Sequence, residues 1–345
     1  MKKIILWILF FLLLAGGTIA YIGYRIIYFP NVSIGEKKSV IIYIPTESKY
    51  EDVIRILAEK KIFKNEKSFE LLGKIKKYKD KIKPGRYRVL ANMSNNNLIN
   101  ILKAGLQEPI TLTFNNIRTK EHLIFRVCHK LEADSAQLTT LLNDNRYLKE
   151  NFGMNSETIL TLFIPNTYKF YWNTSAKKFI AETEKEYKIF WNEERKAKAK
   201  KIGLTQEQIS ILASIVQEEQ LRFLDENQII AGIFLNRLKT GMPLQSDPTL
   251  KFALKDFSIQ RLLNKDKEVD SPYNTYRHNG LPPGPITIPK ISSVDAVLNF
   301  QQTDFFYMCA KEDFSGRHNF AKTLDEHNRN VKKYHKALDE NKIVR

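Results

Sequence analysis

The chain has 345 residues, a length typical of about two domains. Its 55 basic and 38 acidic residues give a formal net charge of +17, and hydrophobic residues make up 43% of the chain. This composition disfavours intrinsic disorder, a collagen-like repeat and a multi-span membrane protein. The two cysteines, Cys128 and Cys309, are too few for a disulfide-dense scaffold or a four-cysteine zinc site, and they are either two thiols or one bridge. The charge predicts attraction to nucleic acid, anionic lipid or an acidic cell-wall polymer.

Residues 4–24 form an uncharged apolar run that follows Lys2 and Lys3. A transmembrane helix needs about 20 such residues, whereas the apolar region of a cleaved signal peptide has about 7 to 15. We therefore predict an uncleaved single-pass anchor rather than a signal peptide. The short basic tail is expected to stay in the cytoplasm and the rest of the chain to be translocated. This topology weakens the nucleic-acid interpretation of the charge.

The first part after the anchor has the pattern of a small α+β module. Residues 31–38 are polar and contain Gly35, which predicts a linker. Hydrophobic periodicity and turn signals then predict, in order, a strand at 39–44, helices at 50–62 and 66–77, a strand at 86–90 and a helix at 95–103.

The remainder of the chain predicts a larger, mainly helical α+β region. The expected elements are a strand at 110–114, helices at 119–131, 206–220 and 227–240, a loop-rich stretch at 270–289 and a strand at 305–310. Asp225 and Gln228 have the spacing of a capping box at the start of the helix at 227–240.

One carboxylate lies on the apolar face of a predicted helix. At about 100° per residue, the apolar side chains of 209–216 centre near about 280° relative to Ile209, and Glu219 falls at about the same angle. Glu218 falls at the edge of this stripe, and Gln217 on the opposite side. Desolvation raises the pKa of a carboxyl group, as a general acid requires. The alternative is that Glu219 lies at the helix end and meets solvent or a basic partner.

Two other charged residues lie in unusual positions. Arg237 is at the centre of an apolar helix stripe, so it either pairs with a buried carboxylate or binds substrate. Asp247 precedes Pro248, which predicts a helix N-cap, or else a second carboxylate that supports a charged transition state.

The remaining candidates for substrate or metal binding lie in two loops and among the C-terminal histidines. The segments 273–276 and 280–284 combine aromatic, amide, proline and glycine residues, which suit sugar rings and acetamido groups. His318, His327 and Asn328 are close in sequence but lack the spacing of metal ligands. We therefore predict no metal site and no cofactor.

Several segments together resemble the membrane-anchored endolytic murein transglycosylases (the MltG or YceG-like family). The similarity is carried, in order, by LASIVQEE at 212–219, FLNRL at 234–238, GMPLQSDPT at 241–249, YNTY at 273–276, GLPPGPI at 280–286, HNF at 318–320 and HN at 327–328. FIPNTY at 163–168 is similar to the family's Pro-Asp-Thr-Tyr segment, with Asn166 in the aspartate position.

The resemblance implies that Glu219 is the catalytic residue. Gln217 and Glu218 replace the glutamate and lysine of many relatives without altering that position. The implied reaction cleaves the β-1,4 bond between N-acetylmuramic acid and N-acetylglucosamine within glycan strands and leaves a 1,6-anhydro end. Glu219 would first act as acid and then as base toward the C6 hydroxyl of the muramic acid. The implied substrate-binding residues are Gln245, Asp247, Asn274, Tyr276, Arg237 and His318.

The resemblance also implies an organisation and a location. We expect an anchor with its flank at 1–30, a LysM-like β-α-α-β subdomain with its linker at 31–105 and a catalytic domain at 106–345. The chain would lie in the bacterial inner membrane with its catalytic domain outside the cytoplasm. Its expected partners are peptidoglycan strands, the membrane and the cell-wall synthesis machinery, but not nucleic acid.

Two alternatives stay open. One is a membrane-anchored scaffold that binds peptidoglycan without cutting it. The other is a hydrolytic muramidase, which would need a second carboxylate, and Asp247 is the motif residue that could supply it.

Overall fold

The structure, a computed structural model, describes residues 2–259 and 262–341. In these ranges the chain is mostly helical with three two-stranded sheets, so the predicted α+β class is confirmed. Contacts divide the chain into two units. The first unit comprises Met1–Thr111, His129–Ala133 and Lys169–Ser175, and the second comprises Leu112–Cys128, Asp134–Tyr168 and Ala176–Arg345.

Helix α1 (Lys2–Tyr28) contains the N-terminal apolar run. It has 27 residues, a stretch of 18 of them has a mean hydropathy of 2.4, and none of its side chains is buried. At about 1.5 Å per residue it is about 40 Å long, more than the roughly 30 Å of a bilayer's hydrocarbon core. Its length and composition therefore allow it to span a membrane, although a signal sequence would meet the same criteria.

The rest of the first unit is built around an antiparallel pair, β1 (Ser39–Ile44) and β2 (Gly85–Leu90). Ser39 lies opposite Leu90, and Ile44 lies opposite Gly85. The helices of this unit are α2 (Tyr50–Glu59), α3 (Glu66–Ile75) and α4 (Asn95–Ala104). Alternate side chains of β2 are buried against these helices, which is the pattern of a sheet with one covered face. The β-α-α-β order matches the order predicted from sequence.

The predicted linker begins inside the folded first unit. Val32 is fully buried, and the side chain of Asn31 donates hydrogen bonds to the carbonyl of Asn65 and to Oδ1 of Asn95. Asn95 in turn donates to the carbonyl of Ile26 at the end of α1. Ser33 and residues 35–38 are exposed, whereas the Asn31 amide forms its hydrogen bonds within the unit. The end of α1 is therefore joined to the unit by packed residues.

The second sheet pairs β3 (Ile110–Thr113) with β4 (Thr167–Phe170). The helices that follow β3 are α5 (Lys120–Cys128), α6 (Ser135–Asn143), α7 (Asn145–Phe152), α8 (Ala176–Phe190), α9 (Glu193–Ile202), α10 (Gln206–Glu219), α11 (Asn227–Thr240), α12 (Asp247–Ala253), α13 (Ile291–Leu298) and α14 (Leu324–Glu340). Two short 3₁₀ helices are formed by Ile159–Leu162 and Asn264–Glu268. The third sheet is the antiparallel pair β5 (Tyr307–Ala310) and β6 (His318–Ala321), which confirms the predicted late strand.

Helix α10 lies in the core of the second unit. It begins at a capping box formed by Thr205 and Gln208, and every side chain from Ile209 to Gln217 is buried. It packs against α9, α11, α12 and α13. The helical wheel assumed one apolar face, but the neighbouring helices cover α10 on all sides. Gln217, predicted on the opposite side from the apolar stripe, accepts a hydrogen bond from the backbone N–H of Lys290.

Helix α11 has the predicted bounds, but its predicted cap is wrong. It ends at Gly241, whose φ of 70° gives the left-handed conformation of a glycine C-cap. The residue at its N-cap is Glu226, which makes no side-chain capping bond. Asp225 cannot form the expected capping box because its carboxylate pairs with Arg317 at 2.7 Å.

Candidate active site

The carboxyl group of Glu219 lies at the C-terminal end of α10. Its Oε1 accepts a hydrogen bond of 2.5 Å from Oγ of Ser246. Burial raises the pKa of Glu219 to about 7, and the neighbouring Asp247 carboxylate acts in the same direction. The Ser246 hydrogen bond and the positive charges of Arg237 and Lys251 oppose this shift. Glu219 is therefore a carboxyl group that can hold or release a proton near neutral pH.

The adjacent Glu218 has a different environment. Its carboxylate pairs with Arg118 at 2.8 Å, and the Arg118 guanidinium lies 4.5 Å from the centre of the Phe257 ring. The Glu218 carboxylate is thus held by a direct ion pair, whereas that of Glu219 accepts a hydrogen bond from a neutral hydroxyl group. The sequence prediction that the two neighbouring glutamates have different surroundings is thus borne out by their contacts.

Ser246 is held in place by two threonines. Its backbone N–H donates to Oγ1 of Thr275 at 3.0 Å, and its carbonyl accepts a hydrogen bond from Oγ1 of Thr249 at 2.7 Å. The two threonine hydroxyls are 2.8 Å apart, and Ser246 is fully buried. These contacts fix the hydroxyl group that faces Glu219. Sequence reasoning missed Ser246, because its contact with Glu219 joins residues 27 positions apart.

The predicted N-cap of α12 is displaced by one residue. Ser246 is the N-cap and Asp247 is the first helical residue, so Pro248 lies one position further into the helix than expected. The Ser246 side chain makes no capping hydrogen bond, and its hydroxyl donates to Glu219. The side chain of the exposed Asp247 accepts a hydrogen bond of 2.6 Å from the hydroxyl of Tyr276. Burial and the Asp247 carboxylate raise the pKa of Tyr276, so its hydroxyl stays a donor.

Asn274 organises the loop that carries Tyr276. It is fully buried, and its Nδ2 group donates to the carbonyls of Lys267 and Val269. Its Oδ1 accepts the backbone N–H of Tyr276 at 3.0 Å. These contacts support a positioning role, while direct contact with substrate stays a prediction.

Gln245 immediately precedes Ser246 and has an exposed side chain. Its φ of 49° lies in the left-handed region that residues other than glycine rarely adopt. The backbone N–H of Gln245 donates to the carbonyl of Thr275 at 3.0 Å, which holds this turn. Such strain occurs where the surroundings fix the chain, often beside functional groups. The placement of Gln245 is compatible with the predicted contact with substrate.

Arg237 is buried in the same region, and no carboxylate of the described residues lies in ion-pair contact with it. Its Nε donates to the carbonyl of Phe306 at 2.7 Å, and its Nη1 donates to the carbonyl of Leu244 at 2.6 Å. Its guanidinium lies 5.5 Å from the centre of the Tyr307 ring. The expected direct pair with a buried carboxylate is therefore wrong, because backbone carbonyls take these donors. Arg237 still acts on Glu219 through its charge.

His318 belongs to a neighbouring polar cluster. Its Nδ1 lies 2.9 Å from Oε2 of the buried Glu226, which also accepts a hydrogen bond of 2.9 Å from Nε2 of Gln220. Burial acts to raise the pKa of Glu226, but the hydrogen bonds from His318 and Gln220 outweigh it and lower the pKa. Gln220 directly follows Glu219, and also donates to the carbonyl of Gly316. Among the described residues no hydrogen bond joins His318 to Glu219 itself.

The structure thus brings Asp247, Tyr276 and Arg237 to the surroundings of Glu219 and leaves His318 in the adjacent cluster. Sequence reasoning missed Gln220 and Glu226. The sequence feature that could have identified them is that they lie at the two ends of the loop between two apolar helices.

The two cysteines do not form a disulfide. Cys128 and Cys309 are both free thiols, so the alternative of one bridge is excluded. Within residues 2–259 and 262–341, no group of three or more histidine, cysteine, aspartate or glutamate side chains could hold a metal ion.

Comparison with known proteins identifies the family. The model of the YceG-like family matches residues 42–333. The chain belongs to the YceG-like family. An endolytic murein transglycosylase from Bacillus subtilis (strain 168) is 30% identical over 344 residues, which cover 95% of this chain and 93% of that protein.

Two further relatives extend the YceG-like comparison. The endolytic murein transglycosylase of Streptococcus pneumoniae (strain R6) is 26% identical over 95% of this chain but only 64% of its own length. The crystal structure of a YceG-like protein, lmo1499, from Listeria monocytogenes superposes with a TM-score of 0.55 at 28% identity. That superposition covers 85% of this chain and 99% of the other.

Proposed function

We propose that this YceG-like protein is an endolytic murein transglycosylase that cleaves the bond between N-acetylmuramic acid and N-acetylglucosamine within glycan strands. The observation that carries the proposal is a carboxyl group with a pKa of about 7, Glu219, held by a fixed hydroxyl group in a chain of this family. A general acid works best when its pKa is close to the working pH.

The contacts of Glu219 define the proton path of the proposed reaction. Oε1 already accepts the Ser246 hydroxyl, so Oε2 is the oxygen that carries the transferable proton. Protonated Oε2 donates to the glycosidic oxygen as the bond to C1 breaks. The resulting carboxylate is stabilised by Ser246 and by the charge of Arg237. It then accepts the proton of the C6 hydroxyl as that oxygen attacks C1, which closes the 1,6-anhydro ring and restores the acid.

The buried position of Arg237 suits this cycle. Its charge favours the carboxylate without forming a direct ion pair that would lower the pKa of Glu219 too far. The negative charge of Asp247 faces the positive charge that develops at C1, and the Tyr276 hydroxyl holds this carboxylate in place.

A hydrolytic muramidase is the second candidate, and one observation favours it. The charge of Asp247 acts on the pKa of Glu219, so a second carboxylate lies near the acid. In a hydrolase this carboxylate would activate water or attack C1, and the product would be a reducing muramic acid. A scaffold that binds peptidoglycan without cutting it is the alternative that the acidic site disfavours.

The products of digestion test the proposal. The full chain in detergent, as wild type, Glu219→Gln and Glu218→Gln, is incubated with purified peptidoglycan in water enriched in the heavy oxygen isotope. The expected result is unlabelled anhydro-muramic ends from the wild type and from Glu218→Gln, and none from Glu219→Gln. Labelled reducing ends would establish a muramidase and make Asp247→Asn the next variant. Binding without cleavage by the wild type would establish the scaffold.

We further propose that α1 is an uncleaved anchor in the inner membrane, with the second unit outside the cytoplasm. The β-α-α-β part of the first unit is proposed to be LysM-like, and partners in the cell-wall synthesis machinery stay a prediction. The intact mass of protein purified from the membrane fraction tests the anchor. Loss of the first 20 to 25 or so residues would show a signal peptide instead.

A further inference from the structure

One side of helix α3 in the first unit combines exposed apolar side chains with lysines. Leu71 and Ile75 are 48% and 68% exposed, and Lys67 and Lys74 are exposed beside them. At about 100° per residue these side chains lie within an arc of about 100°, which we call the outer face of α3. The opposite side of the helix is buried in the core of the first unit. The outer face is therefore a second apolar surface, and this one is open to the surroundings.

The positive charge around the outer face is not neutralised by ion pairs. Residues 60–77 carry six exposed lysines, which are Lys60, Lys61, Lys64, Lys67, Lys74 and Lys77. None of these six forms an ion pair within the part of the chain that the structure describes. The two acidic residues of α3, Glu66 and Glu70, are only partly exposed and lie outside the arc of the outer face. The charge of Glu70 acts on Tyr50 of α2.

Hydrogen bonds join α3 to the end of α1. Nδ2 of Asn95 donates to the carbonyl of Ile26 at 2.9 Å and to Oγ of Ser68 at 3.0 Å, so one amide group separates α3 from α1. The backbone N–H of Lys64 donates to the carbonyl of Asn31 at 2.8 Å. Helices α1 and α3 also pack against each other directly. The first turns of α3 therefore lie against the C-terminal end of α1.

This contact places α3 near the lipid headgroups if α1 spans the membrane. The charge-free run of α1 ends at Tyr24, and Ile26 lies about 3 Å further along the helix. The headgroup region on each side of a bilayer is about 5 to 8 Å thick, so Ile26 falls within it when 4–24 fill the hydrocarbon core. Leu71 and Ile75 lie within about 60° of Ser68, on the side of α3 that faces the end of α1.

Lipid matches the chemistry of the outer face better than glycan does. A helix with lysines beside exposed leucine and isoleucine is typical of one that lies in the membrane interface. The lysines attract anionic headgroups, and the apolar side chains enter the boundary between the headgroups and the acyl chains. The outer face carries no aromatic ring on which a sugar could stack.

We propose that the outer face of α3 binds anionic phospholipids at the surface of the membrane that α1 spans. The inference rests on the proposed anchor and adds a second membrane contact to it. Lys67 and Lys74 contact lipid phosphates, and Leu71 and Ile75 reach the acyl boundary. Because α3 is hydrogen-bonded to the end of α1, the two contacts together fix the orientation of the first unit on the membrane.

Photochemical labelling by lipid tests the proposal. The full chain is placed in phosphatidylcholine nanodiscs that contain phosphatidylglycerol with a photoreactive group next to its headgroup, and labelled peptides are identified by mass spectrometry. Labelling is expected in α1 and in 64–77, and it should be weaker in 64–77 when the same group is carried by phosphatidylcholine. Leu106 is the internal control, since it is exposed but follows the far end of α4, about 16 Å of helix from Asn95. Its peptide should stay unlabelled.

Charge reversal tests the role of the lysines. In the double variant Lys67→Glu/Lys74→Glu, labelling of 64–77 relative to α1 should fall by about fivefold or more, since one lysine near an anionic surface contributes about that factor. The matched control is Lys200→Glu/Lys201→Glu, which makes the same charge change in the last turn of α9. Its labelling should equal that of the wild type. An equal fall in both double variants would overturn the proposal, because the effect would then follow net charge alone.

The labelling pattern separates failure of this proposal from failure of the proposed anchor. Labelling of α1 without 64–77 would overturn the lipid contact and leave the anchor standing. Labelling of 64–77 without α1 would support the lipid contact and refute the anchor. If Lys67→Glu/Lys74→Glu kept its lipid labelling but lost binding to purified peptidoglycan, the outer face would belong to the wall polymer and the proposal would be overturned.

Discussion

The burial of Glu219 predicts that its replacement by glutamine makes the protein more stable at high pH. The pKa of this carboxyl group is about 7 in the folded chain, whereas the ordinary pKa of a glutamate is 4.5. Between these values the folded chain binds more protons than the unfolded chain. The free energy of unfolding of the wild type therefore falls as the pH rises through this window, and stays lower above it. Glutamine is neutral at every pH, and its side-chain oxygen can still accept the Ser246 hydroxyl.

The size of the stability gain follows from the pKa shift of Glu219. Each pKa unit corresponds to about 1.36 kcal/mol, so Glu219→Gln should gain about 3 kcal/mol above pH 7 and almost nothing near pH 4. For a unit of this size, 1 kcal/mol moves the Tm by about 2 to 4 °C. We therefore expect a Tm increase of about 6 to 12 °C near pH 8.5. Differential scanning calorimetry of the full chain in detergent, at a series of pH values, measures it.

The neighbouring Glu218→Gln is the control because it should have the opposite effect. It breaks the ion pair with Arg118, in which the Glu218 side chain is only 14% exposed, and should lower the Tm. The reasoning about Glu219 would be refuted if Glu219→Gln had the Tm of the wild type near pH 8.5. It would also be refuted by a gain of equal size at pH 4 and pH 8.5, since a gain independent of pH cannot come from ionisation.

Three further variants test the surroundings of the acid. Asp247→Asn removes a like charge and should lower the pKa of Glu219, which moves the alkaline limb of the pH profile of kcat/KM to lower pH; an unmoved limb would contradict the proposed coupling. Ser246→Ala removes a hydrogen bond to the carboxylate and should move that limb upward by about one pH unit; a downward shift would argue against the observed contact. Glu226→Gln weakens the hydrogen bond that Glu226 accepts from Gln220, so calorimetry should show a loss of about 2 kcal/mol in the free energy of unfolding. Kinetics should show a fall in kcat with little change in KM. A rise in KM alone would instead indicate direct binding by this cluster.

Local sequence signals predicted the helices well where a cap fixed the end. The bounds of α11 match because Gly241 can adopt the left-handed C-cap conformation that ends a helix. The linker prediction at 31–38 missed the packing of its first two residues, Asn31 and Val32, in the first unit. Composition cannot show that the Asn31 amide has partners 34 and 64 residues away.

The site was predictable only in part for the same reason. Helical periodicity identified Glu219 because the apolar face and the carboxylate lie within one helix. The partner of Glu219, Ser246, depends on the packing of α12 against α10, which no local pattern encodes. The Asn274 side chain is of a type that often binds sugars, but its amide makes hydrogen bonds within its own loop. Residue type thus identified the loop, while the burial and hydrogen bonds of Asn274 support a role in positioning it.

The position of Glu219 at the end of a buried helix explains how one carboxyl group can have both acidic and basic roles. Burial and the negative end of the α10 dipole both disfavour the charged form. If nothing opposed them, the group would hold its proton too tightly to donate it. Ser246 and Arg237 stabilise the carboxylate without a direct ion pair, so the two tendencies balance near pH 7. Glu218, one residue earlier, differs in that its carboxylate is in direct contact with the Arg118 guanidinium.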